Sequence, residues 1–120
     1  VWGTGKPRRE FLYVDDLAEA CVLLMNVNKA VYNEITDRIS AHINVGYSED
    51  LTIEELALTI KEIIDYKGKI KFDTRKPDGT KQKLLNNSRI KALGWKAKVS
   101  LKIGLLKVYE DYLVSKLKKY

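Results

Sequence analysis

Cysteine and histidine each occur once in 120 residues, as Cys21 and His42. A single thiol excludes an intramolecular disulfide, and one thiol with one imidazole is too few to close a tetrahedral metal site. A reducing compartment follows as the simpler expectation, and the cytoplasm with it. No uninterrupted apolar run approaches the roughly 20 residues that span a bilayer, so a membrane partner is not expected. The G-x-S-x-G nucleophile elbow of a Ser-His-Asp hydrolase is missing. So is the dinucleotide fingerprint, because Gly3-Thr4-Gly5 is broken by Lys6-Pro7-Arg8 before any helix can start. There are no repeats and no low-complexity segments. The first residue is Val rather than Met and it enters directly into patterned sequence, so the expectation is a piece of a longer protein.

Hydrophobic residues make up 45% and charged residues 32% of the chain, the composition of one folded globular domain. Residues 1–60 carry 5 Lys/Arg against 10 Asp/Glu, whereas residues 61–120 carry 17 against 6. A basic half could attract nucleic acid or an anionic metabolite. Many of its lysines, Lys102, Lys107, Lys116, Lys118 and Lys119 among them, fall on a predicted amphipathic helix whose wet face needs charge. No helix-turn-helix, RNP or zinc-finger pattern accompanies them, so nucleic acid is not the expected partner.

Leu17, Ala20, Cys21, Leu24 and Met25 recur at helical spacing, which predicts a first helix from Asp15 to about Asn28, with Asp15 or Asp16 as its N-cap and Cys21 as core filler. Phe11 to Val14 before it reads as a short strand, and Lys29 to Ser40 after it as a loop. His42 to Gly46 reads as a second strand, with His42 at its end. Thr52 and Glu55 have capping-box spacing ahead of Leu56, Ile60 and Ile63 or Ile64, which predicts a second helix. Lys69 to Phe72 alternates as a half-exposed strand does. Lys76-Pro77-Asp78-Gly79-Thr80 is a turn, extended by Lys81 to Lys83 as polar loop. Asn87 or Ser88 caps a short helix closed by Gly94 with Trp95 beneath it, and Ser100 caps a last helix whose apolar face runs through Leu101, Leu105, Val108, Tyr112 and Leu117. The fold class is α/β or α+β, with about three main helices, short strands and no complete Rossmann sheet, in one domain over residues 1–120.

The loops hold the candidate chemistry. Arg9 has the forked donors suited to a pyrophosphate, and Lys83 can add a point charge to the same anion. Asp78 can accept from vicinal ribose hydroxyls, and Trp2 offers a flat face or an indole N–H to a base or sugar. Gly3 and Gly5 beside the two arginines could also cradle a phosphate directly.

The order V-W-G-x-G-x-P-x-R-E-F-x-x-V-D-D over Val1 to Asp16 resembles the start of the C-terminal part of the GDP-L-fucose synthases, which are extended short-chain dehydrogenase/reductases. Its looser core of Arg9, Phe11, Val14 and Asp16 resembles the nucleotide-sugar epimerases and dehydratases at large. The resemblance continues through His42-Ile43-Asn44-Val45-Gly46, Thr52-Ile53, Tyr66-Lys67-Gly68, Phe72-Asp73, Lys76-Pro77-Asp78-Gly79-Thr80, Lys83-Leu84-Leu85 and Leu93-Gly94-Trp95. It implies a small C-terminal substrate-binding domain, with Trp2, Arg9, Asp78 and Lys83 as substrate contacts and with Arg75, Lys76 and Lys69 of lower rank. It also implies a parent that converts GDP-4-keto-6-deoxy-D-mannose to GDP-L-fucose, by epimerising C3 and C5 and reducing C4 with NADPH. The implied partners are the GDP-sugar, an N-terminal NADP-binding domain and a second copy of the parent. No cofactor is expected on this chain alone.

Family members carry out epimerisation with a Cys and a His, and reduction with a Tyr-x-x-x-Lys pair assisted by Ser. Cys21 and His42 do not match those motif positions. Tyr13, Tyr47 and Tyr66 lack a lysine four residues on, and Tyr112 with Lys116 falls on the basic last helix. No catalytic residue is therefore assigned to this chain, which is expected to be inactive alone. Two alternatives remain open, the corresponding part of another nucleotide-sugar epimerase, dehydratase or reductase, and a free-standing basic nucleotide- or nucleic-acid-binding module.

Overall fold

The structure is a computed structural model, and it describes residues 1–117. Among them are five helices, α1 (Val14–Asn26), α2 (Lys29–Ile35), α3 (Ile53–Ile63), α4 (Ser88–Ala92) and α5 (Leu101–Leu117). Three short strands, β1 (Arg8–Glu10), β2 (Asp50–Thr52) and β3 (Gln82–Lys83), form one sheet in the order β2-β1-β3, with β1 and β3 parallel. Among the described residues this is a mixed α/β arrangement, the class its pattern predicts. Lys118 and Lys119 lie outside the described residues, as does the side chain of Leu117.

The chain groups into two compact units. One comprises Val1–Arg9, Leu51–Lys83 and the segment from Ser100 onward; the other comprises Glu10–Asp50 and Leu84–Val99. Neither is a single stretch of sequence.

In the first unit, α3 starts at a complete capping box: the Thr52 hydroxyl accepts from Glu55 N at 3.1 Å while Glu55 Oε2 accepts from Thr52 N at 2.7 Å. The next orphan donors of this helix, Ile53 N and Glu54 N, bond the carbonyls of Pro7 and Gly5, each at 3.0 Å. Ile60, Ile63 and Ile64 of α3 and its end face Leu105, Val108, Tyr109 and Tyr112 of α5 around an apolar cleft of about 230 Å³. Lys102 joins Glu62 across the two helices at 2.7 Å, an exposed pair worth under about 1 kcal/mol.

In the second unit, the core is Ala20, Ile90 and Trp95, flanked by Leu12, Leu23, Leu24, Ile43, Val45 and Ala97. Ile90 is wholly buried and Trp95 is 6% exposed. Burying a side chain the size of Ile90 stabilises by about 2–3 kcal/mol. Gly94 adopts φ +83° and closes α4, as its position predicts, and this turns Trp95 under the helix.

Several local expectations are corrected. Phe11 to Val14 is not a strand: β1 ends at Glu10 and α1 begins at Val14, with Tyr13 at the N-cap. Neither aspartate caps α1, because Asp16 turns inward and accepts from Lys98 N and Val99 N. Cys21 is exposed, not core: Asp16 and Ala20 define the buried line of α1, and Cys21 lies about 100° round the helix from Ala20. Lys29 to Ser40 contains α2, whose start is capped by the Asn28 side chain accepting from Ala30 N at 2.8 Å. His42 to Gly46 is not a strand and belongs to no sheet. Its alternation is real, since Ile43 and Val45 pack on the core, but the His42 carbonyl is satisfied by the Arg89 guanidinium at 2.8 Å, and the Asn44 side chain bonds the Asn86 carbonyl. Lys69 to Phe72 forms no strand, and a single bridge joins Asp73 to Trp2. Gln82 and Lys83, read as loop, are β3.

Candidate functional site

All seven residues singled out in the sequence, Trp2, Arg9, Lys69, Arg75, Lys76, Asp78 and Lys83, belong to the first unit. The amino-terminal segment runs beside residues 71–83, and successive contacts fasten the two. The Val1 amino group donates to the Lys71 carbonyl at 2.8 Å, Asp73 N to the Val1 carbonyl at 2.8 Å, and Gly3 N to the Asp73 carbonyl at 3.0 Å. Further on, Arg8 N donates to the Lys81 carbonyl at 2.9 Å.

Arg9 and Lys83 are partners in the parallel pairing of β1 with β3. Paired positions on adjacent strands project from the same face, so the two cations leave the sheet together. Arg9 Nη1 donates to the carbonyls of Arg8 at 2.6 Å and Thr80 at 2.7 Å. The guanidinium plane is thus set by its own loops, and a β-carbon at Gly79 would stand 3.2 Å from Nη2. The missing side chain at Gly79 leaves Arg9 its room.

Asp78 meets Thr4 through both oxygens: Thr4 N donates to Oδ1 at 2.7 Å and the Thr4 hydroxyl to Oδ2 at 2.6 Å. The hydroxyl bond first, then the N–H bond, with the Lys6 charge adding to them, hold the Asp78 carboxyl below the usual carboxylate range. Gly3 stands at φ +80°, and a β-carbon there would collide with Asp78 Oδ1.

Trp2 is 76% exposed, and Lys76 Nζ lies 5.3 Å from its ring centroid, a cation–π contact. Arg75 folds back on Asp73, with Nε to Oδ1 at 2.8 Å and Nη2 to Oδ2 at 3.0 Å. That pair lowers the Asp73 carboxyl and raises the Arg75 guanidinium, and it engages the side chain within its own loop. Lys69 is exposed on the segment leading into this loop.

The phosphate cradle considered for Gly3 and Gly5 has another occupation. Gly5 sits at φ +76° with no room for a β-carbon beside the Phe72 ring, and its carbonyl takes a donor from the first turn of α3. This glycine loop caps the start of α3 through a carbonyl rather than holding a dinucleotide, and it is followed by β1, so these residues do not fit an NADP pyrophosphate. Two residues escaped the sequence reading. Thr4 meets Asp78 74 positions away and the Asp73 backbone meets Val1 and Gly3, contacts that no local spacing announces, while the Asp73 side chain takes Arg75 two residues on.

Elsewhere, His42 is exposed and Tyr112 with Lys116 forms an exposed cation–π pair at 5.1 Å. Among the described residues no group of three or more His, Cys, Asp or Glu could hold a metal ion, and no helix is long and apolar enough to cross a membrane.

Residues 1–46 match the family model for the NAD dependent epimerase/dehydratase family. The fold agrees with that class. A solved GDP-6-OMe-4-keto-L-xylo-heptose reductase from C. jejuni is similar at a TM-score of 0.84 and 40% identity, over 96% of this chain and 33% of that one. The chain is also similar to GDP-L-fucose synthases. It is 48% identical over 113 residues to the GDP-L-fucose synthase of Escherichia coli (strain K12), covering 94% of this chain and 35% of that protein. A GDP-L-fucose synthetase structure from Naegleria fowleri, bound to NADP, is similar at a TM-score of 0.77 and 26% identity, over 97% of this chain and 34% of that one. The chain therefore spans about a third of the length of the relatives it matches.

Proposed function

We propose that this chain is the GDP-sugar-binding part of a GDP-L-fucose synthase. The observation that carries the reading is the register pairing of Arg9 with Lys83, which sets two cations on one sheet face, within the unit that also holds Asp78 and Trp2. In this reading Arg9 and Lys83 take the pyrophosphate of the nucleotide sugar. Asp78 accepts from the ribose hydroxyls, and the exposed Trp2 ring flanked by Lys76 lies along the base or sugar. Arg75, paired with Asp73, ranks below these, as does Lys69.

The parent would convert GDP-4-keto-6-deoxy-D-mannose to GDP-L-fucose, with NADPH supplying the hydride at C4. The NADP-binding domain, the acid and base of epimerisation and the Tyr-Lys pair of reduction would come from the part of the parent outside this sequence, and the parent would act as a homodimer in the cytoplasm. This chain, a single substrate-binding domain in that scheme, would position the nucleotide end of the substrate and catalyse nothing alone. The reading is tested with NADPH and GDP-4-keto-6-deoxy-D-mannose. The parent should consume NADPH and this chain should not, while saturation-transfer NMR on this chain should detect GDP-sugars ahead of UDP- and dTDP-sugars. Equal response to all three nucleotides would remove the assignment.

A second reading, the same part of another GDP-sugar reductase, draws on the 40% identity to the heptose reductase. It predicts the same nucleotide preference and a different keto sugar.

A further inference from the structure

The Asp78 carboxylate is held at both of its oxygens before any ligand arrives. Thr4 N meets Oδ1 at 2.7 Å and Thr4 Oγ1 meets Oδ2 at 2.6 Å, across 74 positions of sequence. One residue giving both a main-chain and a side-chain donor to one carboxylate fixes its rotation, because turning the group breaks both bonds together. The local backbone is adapted to this. Gly3 adopts φ +80° immediately before Thr4, and any side chain there would strike Asp78 Oδ1. The Thr4 hydroxyl also accepts from Lys6 N at 3.2 Å, which fixes the oxygen that donates to Asp78.

An ionised carboxylate offers about four acceptor sites. Thr4 takes two, one on each oxygen, and Asp78 is exposed. One remaining site per oxygen is the arrangement that two adjacent hydroxyls require. We infer that Thr4 is a positioning residue: it orients Asp78 so that the carboxylate receives a vicinal diol, and it thereby confers preference for a ribonucleotide over its 2′-deoxy counterpart. This inference rests on the proposed GDP-sugar reading.

The test uses the 120-residue chain with GDP and 2′-deoxy-GDP as probes, followed by amide chemical-shift titration. The wild type should bind GDP about tenfold more tightly, the equivalent of one charge-assisted hydrogen bond. Thr4→Val, which keeps the shape and removes the hydroxyl, should bring the two affinities together, as should Asp78→Asn, while Thr4→Ser restores the preference. If the wild type binds GDP and 2′-deoxy-GDP equally, the nucleotide site stands and this inference falls. If it binds neither, both fall. A preference unchanged in Thr4→Val makes Thr4 a loop fastener only and overturns the inference. Titration of the Asp78 carboxyl carbon without ligand is an independent check, read on variants whose amide spectra remain dispersed as in the wild type: its midpoint should rise in Thr4→Val and return in Thr4→Ser, and an unmoved midpoint in the folded valine variant overturns the clamp.

Discussion

Asp16 and Val99 are joined by a hydrogen bond of 2.9 Å from the Val99 amide to Asp16 Oδ2, and the neighbouring Lys98 amide donates to the same oxygen at 3.1 Å. Asp16 is only 3% exposed. A carboxylate this deep on α1 is tolerated because two main-chain donors of the segment after Trp95 converge on it. Asp16→Ala leaves both amides without their acceptor, and the expected loss of stability is about 2–4 kcal/mol. Asp16→Asn keeps a carbonyl oxygen that can occupy the same place, and it should lose less. Urea unfolding of the three proteins, compared by midpoint at equal slope, measures the ranking; an alanine variant as stable as the wild type would show that the bonds contribute nothing net.

Arg89 organises the other irregular stretch of the second unit. Its Nη1 donates to the carbonyls of Ser40 at 2.5 Å and His42 at 2.8 Å, and its Nη2 to Asp37 Oδ2 at 3.1 Å. Asp37 in turn accepts from Ser40 N and Ile39 N, and the Ser40 bond is the leading cause that holds its carboxyl below the ordinary value, helped by the Arg89 charge. A folded-state value below the unfolded one means that the stabilisation is complete above pH about 4 and disappears as the pH falls through the lowered folded value. The amide resonances of Ile39 and Ser40 should therefore hold their positions from pH 7 to about 4 and move below it. In Asp37→Asn that acid transition should vanish; its persistence would assign the movement to another group.

The parts of the fold that were legible in advance are those decided within a few residues. Thr52 and Glu55 meet three positions apart, and Gly94 is needed where α4 turns into Trp95, so spacing alone revealed both. The missed features were decided by distant partners. Gln82 and Lys83 are a strand because β1 lies beside them, not because of any propensity of their own. Asn28 carried an N-cap signal for α2, but the weak period of the residues after it hid the helix. At the candidate site, residue types together with the family resemblance nominated Trp2, Arg9, Asp78 and Lys83, and all four fall in the first unit, with Arg9 and Lys83 in register. Thr4 was invisible because a hydroxyl between two glycines says nothing until Asp78 stands opposite it.

Cys21 tests the corrected register of α1. Its exposure predicts that the thiol reacts with a bulky aromatic disulfide in the native chain at a rate close to that of the urea-unfolded chain. A core cysteine would instead wait for unfolding. The measurement is absorbance of the released thiolate at neutral pH with and without urea. Strong native-state protection would return Cys21 to a buried face.

Arg9 offers the sharpest test of the pyrophosphate assignment, because its geometry separates charge from shape. Nη1 is anchored on the Arg8 and Thr80 carbonyls, which aligns the whole planar group, and Lys83 stands beside it in the β1–β3 register. Arg9→Lys keeps the charge but replaces a fork held by two carbonyls with a single mobile ammonium. The expected result is a weakening of GDP-sugar binding by about 10- to 100-fold, corresponding to the roughly 1.5–3 kcal/mol of a charge-assisted hydrogen bond. Lys83→Ala removes one point charge from the same anion and should weaken binding with a smaller salt dependence than the wild type, since one fewer cation takes part. Titration calorimetry at two salt concentrations reads both effects. If Arg9→Lys binds as the wild type does, the pyrophosphate is not held by the Arg9 fork.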